Sequence, residues 1–230
     1  MEFPPGTFEA RFLRRPNRYL TFCEAPDGTE LRCFCPDPGR LTEFVTPGRR
    51  VLVAPAPADA EGRRTTHTQV AFHHGGEWVS ILTAKANVLA REASQRGLLP
   101  ELPPSEGWRA EVRHGESRLD FLAGETLVEV KSVTLVVEGE ARFPDAPTLR
   151  GARHVRGLAA HARDGGRAML LFVQQREAGR LVRANAATDP DFAAALRDAA
   201  GAGVALAAVA CRVDAGGVVP VRRVPVAVDR

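Results

Sequence analysis

Lysine is nearly missing from this chain. Of its 31 basic side chains, only Lys85 and Lys131 are lysine, and the rest are arginine. Arginine offers a planar fork for phosphate oxygens, which fits nucleic acid, although a GC-rich genome produces the same bias. No apolar run reaches the roughly 18 residues that a membrane-spanning helix needs. Met1-Glu-Phe-Pro-Pro5 has no basic stretch followed by an apolar one, so no secretory signal is visible and a cytoplasmic location is expected. Cysteine occurs at positions 23, 33, 35 and 211 only. The Cys33-x-Cys35 spacing lacks the second pair that a zinc site requires, so reduced, partly buried thiols are expected. No helix-turn-helix stands out, which weighs against sequence-specific operator recognition.

What is present supports a folded protein. The 230 residues are 44% hydrophobic, enough for one large or two small domains. A net charge of +3 and a pI near 8.9 permit an acidic partner without demanding one.

The most informative stretch is Ser117 to Ser132. Two apolar-alternating runs flank Gly124-Glu125, and Gly at the first central position suits a two-residue type II′ hairpin turn. If Ala123 and Thr126 close that turn, Asp120 falls opposite Glu129, with Cβ atoms roughly 4.5–5.5 Å apart. Lys131 shares that face by the period of two along a strand. Two neighbouring carboxylates repel unless a proton or a cation lies between them. Mg²⁺ or Mn²⁺ bound there would activate water and neutralise a phosphoryl group, with Lys131 stabilising the attacking hydroxide or the pentacovalent phosphate. Asp, nine residues, then Glu-x-Lys resembles the PD-(D/E)xK nuclease superfamily, with Leu119 where Pro is frequent. A surface hairpin with a cross-strand salt bridge meets the same spacing.

Residues 1–82 read as a small β-barrel of the oligonucleotide-binding (OB) kind, from short strand candidates separated by Asp27-Gly28 and Pro47-Gly48 turns. Arg11, Arg14, Arg15 and Arg18 interleave with aromatic residues including Tyr19, and Arg40 lies in the Pro36-Asp-Pro-Gly39 turn region. Such residues grip phosphates and stack bases, while an amphipathic hairpin with a solvated basic face is the plainer alternative. Residues 55–64 are Pro/Ala/Gly-rich and read as a loop.

Residues 83–230 read as helix, three strands, helix, strand, then a further helix and strand. This is the αβββαβ order of a PD-(D/E)xK domain with an extra αβ unit. Lys85 to Gly97 is the first helix, and its Glu92 is an additional candidate ligand, with a plain solvent-facing role as the alternative. Thr148 caps a helix with Leu149, Ala152, Val155, Ala159 and Ala162 as its inner face. Arg150, His154 and His161 lie on another side. At i,i+4 spacing, Arg150 and His154 form a phosphate-holding pair. The run from Arg167 to Gln174 is continuously apolar at its centre, as in a central parallel strand.

Several segments together resemble one family. Cys35-Pro-Asp-Pro-Gly-Arg40, Arg118-Leu-Asp-Phe121, Val128-Glu-Val-Lys131, Val133-Thr-Leu135, Phe143-Pro-Asp-Ala146, Arg150-Gly151 with His154, and Leu170-Leu-Phe-Val173 are similar to the sugar fermentation stimulation protein A family. Ser132 stands where that family has Asn, and Pro38 where it has Thr. The resemblance implies an OB-like barrel joined to a PD-(D/E)xK-like domain, DNA as partner, and a link to regulation of sugar utilisation. It leaves open whether the chain cleaves DNA or only binds it, and whether it acts as a monomer or a homodimer.

Overall fold

A computed structural model describes residues 1–56, 62, 64–115 and 117–228. The loop expected at 55–64 lies largely outside them. The first six strands are β1 (Phe8–Asn17), β2 (Leu20–Glu24), β3 (Glu30–Phe34), β4 (Arg50–Pro55), β5 (His67–His74) and β6 (Glu77–Ser80). β1 pairs with β2 and β4, β2 with β3, and β4 with β5, and a parallel β3–β5 contact closes the ring. The result is a five-stranded OB-type barrel with β6 appended to β5. Inward residues of the strands fill it, including Phe12, Phe72, Val51 and Val53, joined by Phe44 from the turn between β3 and β4. Cys23, Cys33 and Cys35 are among them, unpaired and fully buried rather than partly buried. Burial pushes the Cys35 thiol up to about 11, so it packs as a small hydrophobe.

The second unit opens with α1 (Ala86–Gln95). It buries Ala86, Leu89, Ala90 and Ala93, a stripe at i, i+3, i+4 and i+7. β7 (Arg109–His114), β8 (Ser117–Ala123) and β9 (Thr126–Val133) then form an antiparallel meander. A small pair follows, β10 (Val136–Val137) and β11 (Glu140–Phe143), before α2 (Leu149–Arg163). β12 (Arg167–Gln174), β13 (Leu181–Ala184), α3 (Pro190–Gly201), β14 (Ala205–Val213), β15 (Val218–Val224) and β16 (Val226–Ala227) complete the chain.

The main sheet has the order β15-β14-β12-β9-β8-β7. β12 is parallel to both β9 and β14, and its residues 168–174 are all buried, as the apolar run implied. The tail supplies β15, an edge strand that accommodates Pro220. β11, β13 and β16 form a smaller parallel sheet with β10 at its edge, which the sequence reading did not foresee.

One hydrophobic core lies between the barrel, α1 and one face of the main sheet. It joins Phe3, Leu52, Val70 and Ala71 to Leu89, Val128, Leu171 and Val209. A second core lies between the other face and helices α2 and α3. The barrel is therefore packed onto the sheet through shared apolar burial, worth roughly 1.5–3 kcal/mol per large side chain.

Thr148 caps α2, its Oγ1 accepting the Gly151 N–H. Thr148→Ala should cost about 1 kcal/mol in chemical denaturation, because that N–H loses its acceptor. Two expectations for α2 need correction. Leu149 is 84% exposed rather than inward, because the first turn projects beyond the core. His154 is buried, for a reason found in the site. Among the described residues, no helix is long and apolar enough to cross a membrane.

Candidate active site

The hairpin forms in the expected register, with Ala123 opposite Thr126 across Gly124, whose φ of +59° the turn requires. The ladder then stops at Phe121–Val128, one pair short of Asp120 and Glu129. The β7–β8 ladder also skips the Glu111–Asp120 pair, where Glu111 has a φ of +55°. Leu119 packs in the core under α2 and Phe121 in the core under α1, although residues two apart on a regular strand share a face. The middle strand thus turns over at Asp120, a distortion of the kind that re-aims side chains next to active sites.

The Asp120 side chain occupies the gap this creates. Its Oδ2 accepts the Val130 N–H at 2.8 Å, taking the place of a ladder carbonyl, and its Oδ1 accepts Asn87 Nδ2 at 2.8 Å. Asn87 is the second residue of α1, so the start of the helix aims an amide at the carboxylate. Burial raises the Asp120 pKa above the usual carboxylate value, and the charge of Glu129 raises it further. The Asn87 and Val130 hydrogen bonds and Lys131 oppose that rise.

Glu129 is 3% exposed. Its Oε1 accepts Lys131 Nζ at 2.5 Å and lies 2.6 Å from His154 Nδ1. Its Oε2 is buried with no hydrogen-bond partner. Arg150 Nε donates to His154 Nε2 at 3.4 Å, which assigns the Nδ1 proton to the bond with Glu129. His154 therefore orients Glu129 from α2, and Arg150 orients His154. The next residue, Ser132, is held by Gln175, whose Nε2 donates to Ser132 Oγ and to the Leu82 carbonyl. Gln175 Oε1 accepts from Ser80 of β6, so the strand that carries Lys131 is tied to the barrel.

Glu92 is not brought to this cluster. Its Oε2 pairs with the N-terminal ammonium of Met1 at 2.6 Å and its Oε1 with Arg96. Asn87 and Glu92 are five residues apart, about 140° around a helix, so only one of them can face Asp120. The sequence reading gave Asn87 no role, because a neutral amide does not stand out among candidate ligands.

A divalent cation fits what remains. Among the described residues, no three His, Cys, Asp or Glu side chains converge as a metal cage. Mg²⁺ commonly takes only one or two carboxylates and keeps several waters, and the orphaned Oε2 of Glu129, together with the Asp120 carboxyl on which Glu129 acts, suits such an acceptor set.

On the barrel, the five arginines expected to bind nucleic acid divide into two groups. Arg14 forms a bidentate pair with Glu30 and lies over the Phe22 ring. Arg15 donates to the carbonyls of Arg18, Asp37, Gly39 and Arg40, so it shapes the turn it was expected to serve beside. Arg11 makes one bond to the Gly48 carbonyl. Arg18 and Arg40 are exposed and make no ion pair among the described residues. Tyr19, next to Arg18, is 57% exposed.

Comparison with known proteins places these features in one lineage. The model of the sugar fermentation stimulation protein RE domain matches residues 84–217, and that of the SfsA N-terminal OB domain matches residues 13–81. The sugar fermentation stimulation protein homolog of Moorella thermoacetica is 44% identical over 93% of this chain and 94% of its own. That of Methylobacterium nodulans is 40% identical over 98% of this chain and 99% of its own. The structure of Pyrococcus furiosus SfsA in complex with Ca²⁺ is similar with a TM-score of 0.86 and 31% identity, covering 99% of this chain and 98% of that one. Matches that span both the barrel and the sheet domain show that this chain belongs to the sugar fermentation stimulation protein family.

Proposed function

We propose that the protein binds DNA through its barrel with little sequence selectivity and cleaves a phosphodiester bond at Asp120, Glu129 and Lys131 with a divalent cation. The observation that carries this reading is the Glu129 carboxylate. One of its oxygens is held by Lys131 and His154, the other is buried without a partner, and its charge acts on the Asp120 carboxyl. A hairpin built only for stability has no use for an unpaired buried oxygen, which costs about 1–3 kcal/mol.

Asp120 and Glu129 would hold Mg²⁺ or Mn²⁺, and the bound cation would neutralise phosphoryl charge and make a bound water more acidic. Asn87 and the Val130 N–H fix the position of Asp120, and His154 fixes Glu129, so the acceptor set is preorganised. Lys131, with its side chain 12% exposed, keeps an ammonium where charge builds up on the attacked phosphate. The Ca²⁺ complex of the Pyrococcus furiosus relative supports a hard, oxygen-binding cation in this family. The link to sugar utilisation rests on the family's name, and in this reading it follows from DNA binding.

The test is incubation of the protein with labelled single-stranded, duplex and branched DNA and RNA in Mg²⁺ or Mn²⁺. Metal-dependent product formation that EDTA abolishes is expected on at least one substrate. Unchanged substrate throughout, with no metal binding by calorimetry, would remove the catalytic part.

A further inference from the structure

The barrel and the sheet domain meet at a cleft of about 330 Å³. Its walls are Arg18, Asp37 and Gly39 from the barrel, the Ser132–Leu135 segment that follows Lys131, and Arg142 to Pro147, which lead into α2. The cleft thus adjoins the segments that carry Lys131 on one side and Arg150 and His154 on the other. A second, more open groove of about 560 Å³ runs along the barrel past Arg14, Asn17, Arg18, Arg40 and Thr42. Arg18 and Gly39 line both, so the two hollows are adjacent.

The charges along this path are sorted. The barrel groove offers the free guanidinium groups of Arg18 and Arg40 and contains no carboxylate among its lining residues. The cleft mixes Arg142, whose Nη2 pairs with Glu140 while its Nε is buried without a partner, with Asp37 and Asp145. Each of these carboxylates spends one oxygen on the turn at 37–40, Asp37 on the Gly39 N–H and Asp145 on the Arg40 N–H. A pair of carboxylates repels phosphate but accepts hydrogen bonds from the amino and imino groups of bases, and an arginine fork complements base carbonyls. The cleft volume matches the lower end of pockets that enclose one small molecule, about the size of a nucleotide. A base still paired in a duplex cannot enter such a space.

We propose that the groove and the cleft form one track for a single nucleic-acid strand, with phosphates on Arg18 and Arg40 and one unpaired base seated among Asp37, Arg142 and Asp145. Tyr19, exposed beside Arg18, offers a ring for a neighbouring base. This deepens the reading above by naming its substrate class, and it rests on that reading only for the direction of the strand toward Lys131.

The test is binding, measured without metal so that no cleavage intervenes. Fluorescence anisotropy with a labelled 12-nucleotide strand, as DNA and as RNA, is compared with the matching duplexes across a salt series. The single strand should bind about tenfold or more tightly than its duplex, because only it has a base to stack and insert. The two arms show whether deoxyribose or ribose is preferred. The double substitution Arg18→Ala/Arg40→Ala should lower the salt slope by about 1.4, at roughly 0.7 per phosphate contact on a single strand. Photo-crosslinking of a strand carrying a photoreactive base to the unmodified protein should label residues 132–135 or 142–147.

Duplex binding as tight as single-strand binding, an unchanged salt slope, or crosslinks confined to other surfaces would overturn the track. Cleavage of a duplex alongside failed single-strand binding would sink the track and leave the catalytic reading standing. Tight single-strand binding with no metal-dependent cleavage would do the reverse.

Discussion

Asp120→Asn is expected to eliminate metal-dependent cleavage and, in the same protein, to raise the thermal stability of the metal-free form at pH 7. The first effect follows from losing one of two anionic ligands. A cation's stabilisation of transition-state charge is worth several kcal/mol, so the rate should fall on the order of 10³-fold or more. The second effect follows from burial and the Glu129 charge, which together raise the Asp120 pKa. The folded protein then binds more protons than the unfolded chain at pH values between the ordinary Asp value of 3.8 and the raised one. Stability therefore falls as pH climbs through that window, and the loss is not recovered at higher pH. Asparagine carries no such cost.

The local hydrogen bonds survive the substitution. The new amide oxygen can still accept the Val130 N–H, and Asn87 can rotate its own amide to accept from the new NH₂. Thermal melts with and without Mg²⁺ check both effects. The unmodified protein should gain about 2.7 kcal/mol at a Mg²⁺ concentration one hundred times Kd, and Asp120→Asn should gain little. A variant no more stable than the parent at pH 7, or still stabilised by Mg²⁺, would contradict this account.

Arg176→Ala should lower stability by about 3 kcal/mol, toward the lower end of the range for breaking one side of a buried ion pair. Arg176 is 3% exposed and directly follows Gln175. Its Nε donates to Glu77 Oε1 on the barrel at 2.7 Å, and its Nη1 donates to the Thr134 carbonyl. Glu77 Oε2 also accepts the N–H groups of Glu177 and Ala178, so one carboxylate gathers three donors across the junction. Removing the guanidinium leaves the Thr134 carbonyl and half of Glu77 without a donor. The cost stays near 3 rather than 5 kcal/mol because Glu77 retains the two backbone bonds and some contact with water. Urea denaturation gives the value, and a loss below about 1 kcal/mol would show that the bridge contributes little.

The legible parts of this protein were those written in local chemistry. The Gly124 turn set the hairpin register, the Thr148 cap set the start of α2, and the unbroken apolar run of β12 set a central parallel strand. The illegible parts depend on partners far along the chain. His154 has a polar residue's pattern on an amphipathic helix, and it is buried because Glu129, 25 residues away, needs a donor. Glu92 has the spacing of a ligand, and the chain's own N-terminus takes it. The reversal at Asp120 leaves no trace in residue types, because the side chain itself replaces the missing ladder bond. Arg14 and Arg15 are indistinguishable from Arg18 by composition, and only the fold shows that neighbours already hold them.

The central claim is that Asp120 and Glu129 share a cation through the oxygen of Glu129 that lacks a partner. A crystal of the protein grown with Mn²⁺ and measured at a wavelength where manganese scatters anomalously tests it most directly. The account predicts one strong peak within coordination distance of Asp120 and of Glu129 Oε2. A site free of anomalous signal at millimolar Mn²⁺, or a peak held by other residues instead, would contradict it.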